Sequence, residues 1–485
     1  MHNKSHFEQI IWMSFLVAGI STGVVWADNI HYLNSGPAVT VGPISNAQMA
    51  SSSRFNPAVT ALNTDTTRLT LLDFTTNVQL QGLGEFNTVF QNMTDQIDSI
   101  SATFDDFGNG DASVGDVLAG VNELEAAFDQ NIEQLADSFF IKPGIVVSAP
   151  LTPFNINIGR FGALSVSASS LTQARASVLH GPISFDIDAQ AVIDTNAAGD
   201  ELDPIDAMRT TSSIYLKQAQ VFNADLAWSH ALPRIQFTDR HSIDAVGGVR
   251  ATLIAYNLQK QLYPLKDLAR QAMDNTDGLT QNVTDDVMQG FSSFNFNVSF
   301  DAGLTLQRDE TIVGLTLYNL NSPKLNYNTL GGDCISMADS TDQEECFHAE
   351  YFASVGDIAL QETHRLDPRL TLDVSQSFFD NRVAIAGVAD LWKKNDLFGE
   401  QSQNLNLGIL LQPKGWYWPR LRLGLGKDLV DLDPTQLGLG LSLFNFLQID
   451  SQMTAVLGDL FSDDLTTKGN ALRSVSVAAS VNLSF

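Results

Sequence analysis

The last twelve residues alternate, with Ala478 the one exception. Val475, Val477, Ala479, Val481, Leu483 and Phe485 share one parity, and Ser474, Ser476, Ser480, Asn482 and Ser484 share the other. Side chains of a strand point in turn to its two faces, so this segment has one apolar and one polar side. The pattern recurs through the chain. Phe294, Phe296, Val298, Phe300, Leu304 and Leu306 oppose Asn295, Asn297, Ser299, Asp301 and Gln307. Leu72, Phe74, Val78 and Leu80 oppose Asp73, Thr75, Asn77 and Gln79, and Leu437 to Leu443 oppose Gly438, Gly440 and Ser442. Ile183, Phe185 and Ile187 likewise oppose Ser184, Asp186 and Asp188. Many such stretches run to about 10–15 residues, longer than the five or six usual in a soluble sheet and suited to tilted strands that cross a bilayer. Mean hydropathy is near zero although 44% of residues are hydrophobic, as interleaving requires.

After the first 27 residues no stretch of 18 consecutive apolar residues occurs, so any membrane crossing falls to strands. In hydrocarbon every backbone polar group must be paired, and strands achieve that only in a closed ring. The chain therefore predicts an all-β fold, a transmembrane antiparallel β-barrel of about 14 strands occupying 67–485. Strands are expected near 70–82, 156–169, 183–193, 213–228, 243–257, 293–307, 311–320, 366–378, 382–392, 403–413, 420–427, 435–444, 446–457 and 472–485. Segment 143–149 is a further strand piece without a place in that order. With the last strand pointing to the periplasm, the tight connections 308–310 and 379–381 fall on the periplasmic side, and the long connections 83–155, 258–292 and 321–365 fall outside.

The amino-terminal end reads as export. A polar start with Lys4, an apolar run from Ile10 to Trp26 and the small residues Val25 and Ala27 predict a signal peptide over 1–27. The chain is thus expected in the cell outer membrane of a Gram-negative bacterium, with outer-membrane lipids, lipopolysaccharide and the barrel-assembly machinery as partners. A terminal strand ending on Leu483 and Phe485 resembles the assembly signal of such barrels. Residues 28–66, rich in Ser, Asn, Thr, Gly and Pro, are either a plug inside the barrel or a periplasmic segment.

The insertion 83–142 reads as an extracellular helical hairpin. Val89, Met93, Ile97, Ile100 and Phe104 recur at helical spacing, as do Val117, Val121, Leu124, Phe128, Ile132 and Leu135. It carries twelve acidic residues between Glu85 and Asp137 and no Lys or Arg, which predicts that divalent cations steady it. A second insertion, 259–290, also reads as helical. Cys334 and Cys346, the only cysteines, predict one local disulfide in an oxidising compartment.

Chemistry leaves few marks. HExxH, GxSxG, Walker and CxxC patterns are absent, so no catalytic residue and no cofactor is expected, and the chain does not read as an enzyme. A formal charge of −28 argues against nucleic acid as a partner. Asp105, Asn109, Asp111 and Asp116 partly fit a calcium loop, but Phe107 stands where an oxygen is needed, and an acidic turn between helices explains them as well. Trp416, Tyr417 and Trp418 suit an interfacial aromatic girdle. Asp186, Asp188, Arg250, Asp301 and Arg422 are expected in the lumen, with Ile254 and Tyr256 also pointing in.

Two motifs carry a resemblance. Ser53-Arg54-Phe55-Asn56-Pro57-Ala58 resembles the Asn-Pro-Ala element in the amino-terminal plug of FadL-like outer-membrane barrels, mapping onto Asn56, Pro57 and Ala58. Gly314 to Pro323 resembles a strand-and-exit pattern of the related TraF-like barrels, named from conjugal-transfer operons. The resemblance implies a plugged FadL-type channel for passive uptake of small hydrophobic or amphipathic molecules. The other open reading is a non-transporting scaffold, adhesion- or conjugation-associated, that docks partners through its extracellular loops. A cavity lined by apolar side chains between plug and wall separates the two.

Overall fold

The computed structural model describes residues 34–46, 51–62, 68–82, 111–187, 207–238, 241–267, 293–415, 417–444, 446–461 and 471–484, with residue 193 and scattered positions of 88–109. The signal segment 1–27, Asp188, Trp416, Phe485, Asp105 and residues 268–292 lie outside the described residues.

Fourteen strands close into one antiparallel ring: β1 (Arg68–Gln81), β2 (Phe140–Ser148), β3 (Ala163–Leu179), β4 (Ser213–Ala231), β5 (His241–Pro264), β6 (Asn295–Arg308), β7 (Thr311–Tyr318), β8 (Arg369–Phe378), β9 (Val383–Asp390), β10 (Asn404–Leu411), β11 (Arg420–Asp428), β12 (Thr435–Leu443), β13 (Leu447–Ala455) and β14 (Leu472–Ser484). Each pairs with its sequence neighbours, and β14 returns to β1 with Arg68 opposite Ser484. Closure leaves no edge, which is what a strand protein needs in lipid.

Burial is inverted relative to a water-soluble fold. Outward residues are apolar and exposed, Phe296 at 69% and Leu439 at 57%, whereas inward Asp73, Thr75, Asp301, Thr305 and Asp450 are buried. The alternation read from the sequence thus matches the two faces, apolar toward lipid and polar toward the lumen. No helix among the described residues is long and apolar enough to cross a membrane. The turns at 309–310 and 379–382 lie at the same end as Arg68 and Ser484, and the long connections lie at the other, as expected.

The count of fourteen holds by exchange. Segment 183–193 is not a wall strand: Ile183–Phe185 pairs only with Met208–Thr210 in a small separate hairpin. Its apolar parity packs instead on helix α3 (Val114–Ser138), the fourteenth place being taken by β2. Periodicity cannot tell lipid from a helix as the cover of an apolar face. Connection 83–155 is therefore not wholly external, and insertion 83–142 ends inside β2. Residues 259–264, expected as helix, extend β5. Asp186 is not in the lumen; it is exposed on the small hairpin, 3.3 Å from Arg209.

Outside the wall, α3 buries the expected seam Val117, Val121, Leu124, Phe128, Ile132 and Leu135 against Val178 of β3 and the small hairpin. Ser113 begins it with a capping box closed by Asp116. Most of the expected first arm lies outside the described residues. Cys334 and Cys346 are bonded, with Cα atoms 5.5 Å apart, and pin the start of α4 (Ser340–Val355).

Candidate lumen site

Two short helices, α1 (Ala38–Val41) and α2 (Ser52–Phe55), and a 3₁₀ turn over Pro57–Leu62 lie inside the ring, buried almost throughout. Such short helices are not stable by themselves. The inward wall holds them, and two glycine sets make the approach possible. Gly248 and Gly303 face each other across β5 and β6, and Asn56-Pro57-Ala58 sits on the pair. A Cβ on Gly248 would stand 2.5 Å from the Ala58 nitrogen. Gly408, Gly424 and Gly438 line up across β10, β11 and β12, forming a floor for Thr40 and Val41. A Cβ on Gly424 would stand 1.7 Å from the Thr40 carbonyl oxygen.

Polar anchors fix the segment. Arg54, 1% exposed, is ion-paired with Asp73 of β1 and donates to the Thr152 carbonyl at 2.8 Å. Arg250 donates to the Arg54 carbonyl while paired with Asp301 at 2.6 Å. The Tyr318 hydroxyl donates to the Phe55 carbonyl at 2.7 Å, and the Arg369 guanidinium lies 4.1 Å over the Tyr318 ring. Ser45 gives its backbone N–H and hydroxyl to the two oxygens of Asp373, at 2.7 and 2.8 Å. Asn56 donates to Ser45 Oγ at 2.9 Å and accepts from the Ala58 N–H at 3.0 Å, so it joins the two halves of the segment. Thr40 donates to Asp450 at 2.7 Å, and Arg422 holds the same carboxylate through two nitrogens.

Asn56, Pro57 and Ala58, singled out in the sequence as a motif, are buried against Gly248 and Gly303, and Arg250, Asp301 and Arg422 point inward as expected. Sequence reading missed Arg54, Asp73, Ser45, Asp373 and Asp450 as anchors. The usable signal was glycine on the polar parity of successive strands, where the wall leaves room for another piece of chain.

What remains open is a cavity of about 240 Å³ toward the long-loop end of β1 and β10–β14. Its lining is mostly polar, with Gln79, Asn77, Lys142, Asn404, Gln436 and Arg473 among the contributors. One apolar part of the lumen, Val41 and Ile44 on Ala384, Ala386, Val388 and Leu410, lies beside the glycine floor; the larger lies across the bore and is filled by the chain itself. There Val146, Leu171, Val221, Ile254, Tyr256 and Leu258 of the wall pack on Leu325, Tyr327, Leu366, Leu397 and Phe398 from two loops. The cavity described here is thus polar, unlike the cavity lined by apolar side chains that was one of the two expected alternatives.

The remaining candidates are dispersed. Leu483 pairs with Leu69 at the terminal seam. Asn109, Asp111 and Asp116 are exposed, and the Asp116 carboxylate is occupied by the Ser113 N–H and hydroxyl at 2.8 and 2.7 Å. Those two bonds hold its pKa below the usual aspartate value. No group of three His, Cys, Asp or Glu placed to hold a metal occurs among the described residues. Tyr417 and Trp418 are exposed in the turn between β10 and β11, at the short-turn end.

A family model described as F plasmid transfer operon, TraF, protein matches residues 54–390. Solved structures similar to the chain include the Pseudomonas putida toluene transporter TodX, at 11% identity and a TM-score of 0.34, covering 93% of this chain and 96% of that one. The CymD monoaromatic hydrocarbon channel matches at 9% identity and a TM-score of 0.35, over 92% and 97%. A mutant Rh. blastica porin matches at 7% identity and a TM-score of 0.22, over 85% and 99%. No curated protein matches.

Proposed function

We propose, since this chain belongs to the family described as the F plasmid transfer operon TraF protein, that it is an outer-membrane barrel channel held shut by a plug, residues 34–62, and that it passes small amphipathic molecules when the plug shifts. The observation that carries this reading is the ion-paired attachment of the plug, above all Arg54 to Asp73. Buried ion pairs add little net stability over well-packed apolar residues, and fixing one of two alternative arrangements is their best-attested use. A filler that never moved could be built from the wall's own side chains.

The cavity chemistry narrows the solute. Hydrocarbon entering a polar pocket would strip water from amides and charges without replacing its hydrogen bonds. An amphipathic molecule can meet those groups and still use Leu80, Phe140 and Pro434 at the rim. Hydrophobic molecules without a polar end are therefore disfavoured in that cavity.

The test is solute influx into liposomes carrying the full-length protein, together with uptake by a deletion strain, measured across long-chain acids, short amphipathic acids and aromatic hydrocarbons. The double variant Arg54→Gln with Asp73→Asn removes both charges while keeping polar side chains at both positions. Faster influx of amphipathic solutes in the variant supports the proposal. Equal influx in both proteins, with unchanged uptake in the deletion strain, overturns it.

A second reading has its own observation. Helix α3 is held rigidly outside the wall through its apolar seam, leaving its acidic face to solvent. A non-transporting scaffold that docks envelope partners would use such a face. Plasmid transfer lost on deletion while all uptake stays normal would favour it.

A further inference from the structure

Four cations stand in one row on the inner wall. Arg175 of β3 is opposite Lys217 of β4, and Lys217 is opposite Lys260 of β5. The register of β2 with β3, which pairs Ile141 with Ala176 and Gly144 with Gln173, sets Lys142 beside Arg175. All four occupy the inward parity of their strands. Like charges opposite one another across strands destabilise a sheet, and Lys142 and Lys260 are nearly devoid of solvent. The wall offers no counter-charge at that height; two loops bring it.

Glu362 comes from segment 319–368. Its carboxylate lies 2.7 Å from Lys217 Nζ and 3.8 Å from Lys260 Nζ. Asp396 and Glu400 come from segment 391–403, Asp396 at 2.8 Å from Lys142 and Glu400 paired with both Lys142 and Arg175. The loops are joined to each other, since the Tyr327 hydroxyl donates to the Leu397 carbonyl at 2.6 Å. The Tyr327 ring in turn receives Lys217 at 5.1 Å and Lys260 at 5.9 Å from its centre. Above the row, Phe352 of α4 packs on inward Tyr215 and Leu262; below it, Leu325 and Phe398 cover Ile254 and Leu258.

We propose that segments 319–368 and 391–403 form a single lid over the lumen, latched by loop carboxylates onto this row of wall cations, and that unmaking either latch lifts both segments. The Lys142 latch also forms one wall of the polar cavity, so lifting the lid would join that cavity to the apolar patch beneath. Nothing in this inference depends on conduction, and its test reads lid position rather than flux.

Hydrogen exchange of the full-length protein in detergent micelles measures that position at residues 324–327, 363–366 and 395–402. The isosteric variants Glu362→Gln and Glu400→Gln each remove one loop charge without changing volume. Either one is expected to speed exchange about tenfold in both segments, with β8 and β9 unchanged, because local openings report the stability of the unit that opens. Heat-modifiable gel migration verifies that each variant keeps its barrel. Unchanged exchange in both variants overturns the latch. Faster exchange confined to the altered segment overturns the single lid.

Discussion

Strands β3, β4 and β5 run for 17, 19 and 24 residues, whereas β10 to β13 run for only 8 or 9. Outside, the two sets share one chemistry, an apolar belt of alternate residues. Inside they differ. The long strands rise past the belt at the long-loop end and carry cations that draw loops inward, so that side of the bore is closed by a lid on an apolar bed. The short strands end early, present a glycine floor, and are closed by α1, which rests on that floor through Thr40 and Val41, leaving the polar cavity above it. Within the membrane belt the outer face of a barrel strand answers to lipid, while its inner face answers to whatever chain segment happens to fill the bore. Two barrels with the same outer code can therefore differ entirely in what they admit.

The largest test of this contrast falls on the anchors of the lumen segment. Arg54→Ala would leave Asp73 buried without its cation, and stranding one member of a buried pair costs about 3–5 kcal/mol. Thr40→Val on the other side removes one hydrogen bond from Asp450, which keeps both bonds to Arg422, and is expected to cost roughly 1–2 kcal/mol. Urea unfolding in micelles compares the two. Equal losses would mean that the lumen segment is held evenly and that the two sides of the bore do not differ.

The glycine floor gives the next effect. Gly424→Ala puts a methyl group into the Thr40 carbonyl and is expected to cost about 1–3 kcal/mol, the range for overpacking a filled interior. Gly458→Ala, where an added Cβ meets nothing within 4 Å, serves as the control. If Gly424→Ala matches the control in unfolding midpoint, α1 does not rest on the floor with the closeness described.

These glycines also mark how far the chain could be read in advance. Period-two alternation announces a strand and its two faces because that signal is local, and thirteen of the wall strands follow from it. The misassigned strand at 183–193 has the correct alternation but buries its apolar side under α3. The wall's loop-end extensions went unread as well. The expected ends at 169 and 257 stop short of Arg175 and Lys260, and Lys217, although within an expected strand, had no visible counter-charge. The lid's anions lie 145 residues from Lys217 and more than 250 from Lys142 along the chain. No local pattern joins such positions. Arg54 stood inside a motif read for its Asn, Pro and Ala, and its charge acquires meaning only when Asp73 is beside it.

A smaller effect concerns acid. His364 lies buried within the lid opposite Leu325, and burial lowers its pKa below 6.5, partly opposed by Asp396, Glu362 and Asp367 and reinforced by Lys217. A lifted lid frees the ring to bind a proton at its ordinary pKa. Above pH 6.5 both states are neutral and the closed lid keeps its full stability. As pH falls below that value the open state takes up a proton that the closed state resists, so closure weakens down to the lowered pKa. Protection of 363–366, taken relative to the intrinsic amide rate at each pH, is expected to fall several-fold between about pH 7 and pH 5, and His364→Gln should flatten the dependence. No change around α1 is expected. Equal acceleration there would remove the distinction between the two closures.

The smallest expected effect is at α3, where the acidic charge of the insertion suggested reliance on divalent cations. The geometry argues for indifference instead. The seam from Val117 to Leu135 is buried on Val178, Ile183 and Met208, so apolar contact secures the helix without any metal. Asp116, the acidic residue nearest its start, is occupied by Ser113. That capping contribution is present above the ordinary aspartate range and fades as pH falls through the lowered pKa of Asp116, well below physiological pH. Like charges along an exposed face repel weakly and are screened within about 8–10 Å at physiological salt. Proteolysis of intact cells with and without a chelator should therefore cut 111–138 at rates within about twofold of each other. A much faster cut with chelator present would restore the cation requirement and would make the outer layer, like the lid, a structure that charge holds in place.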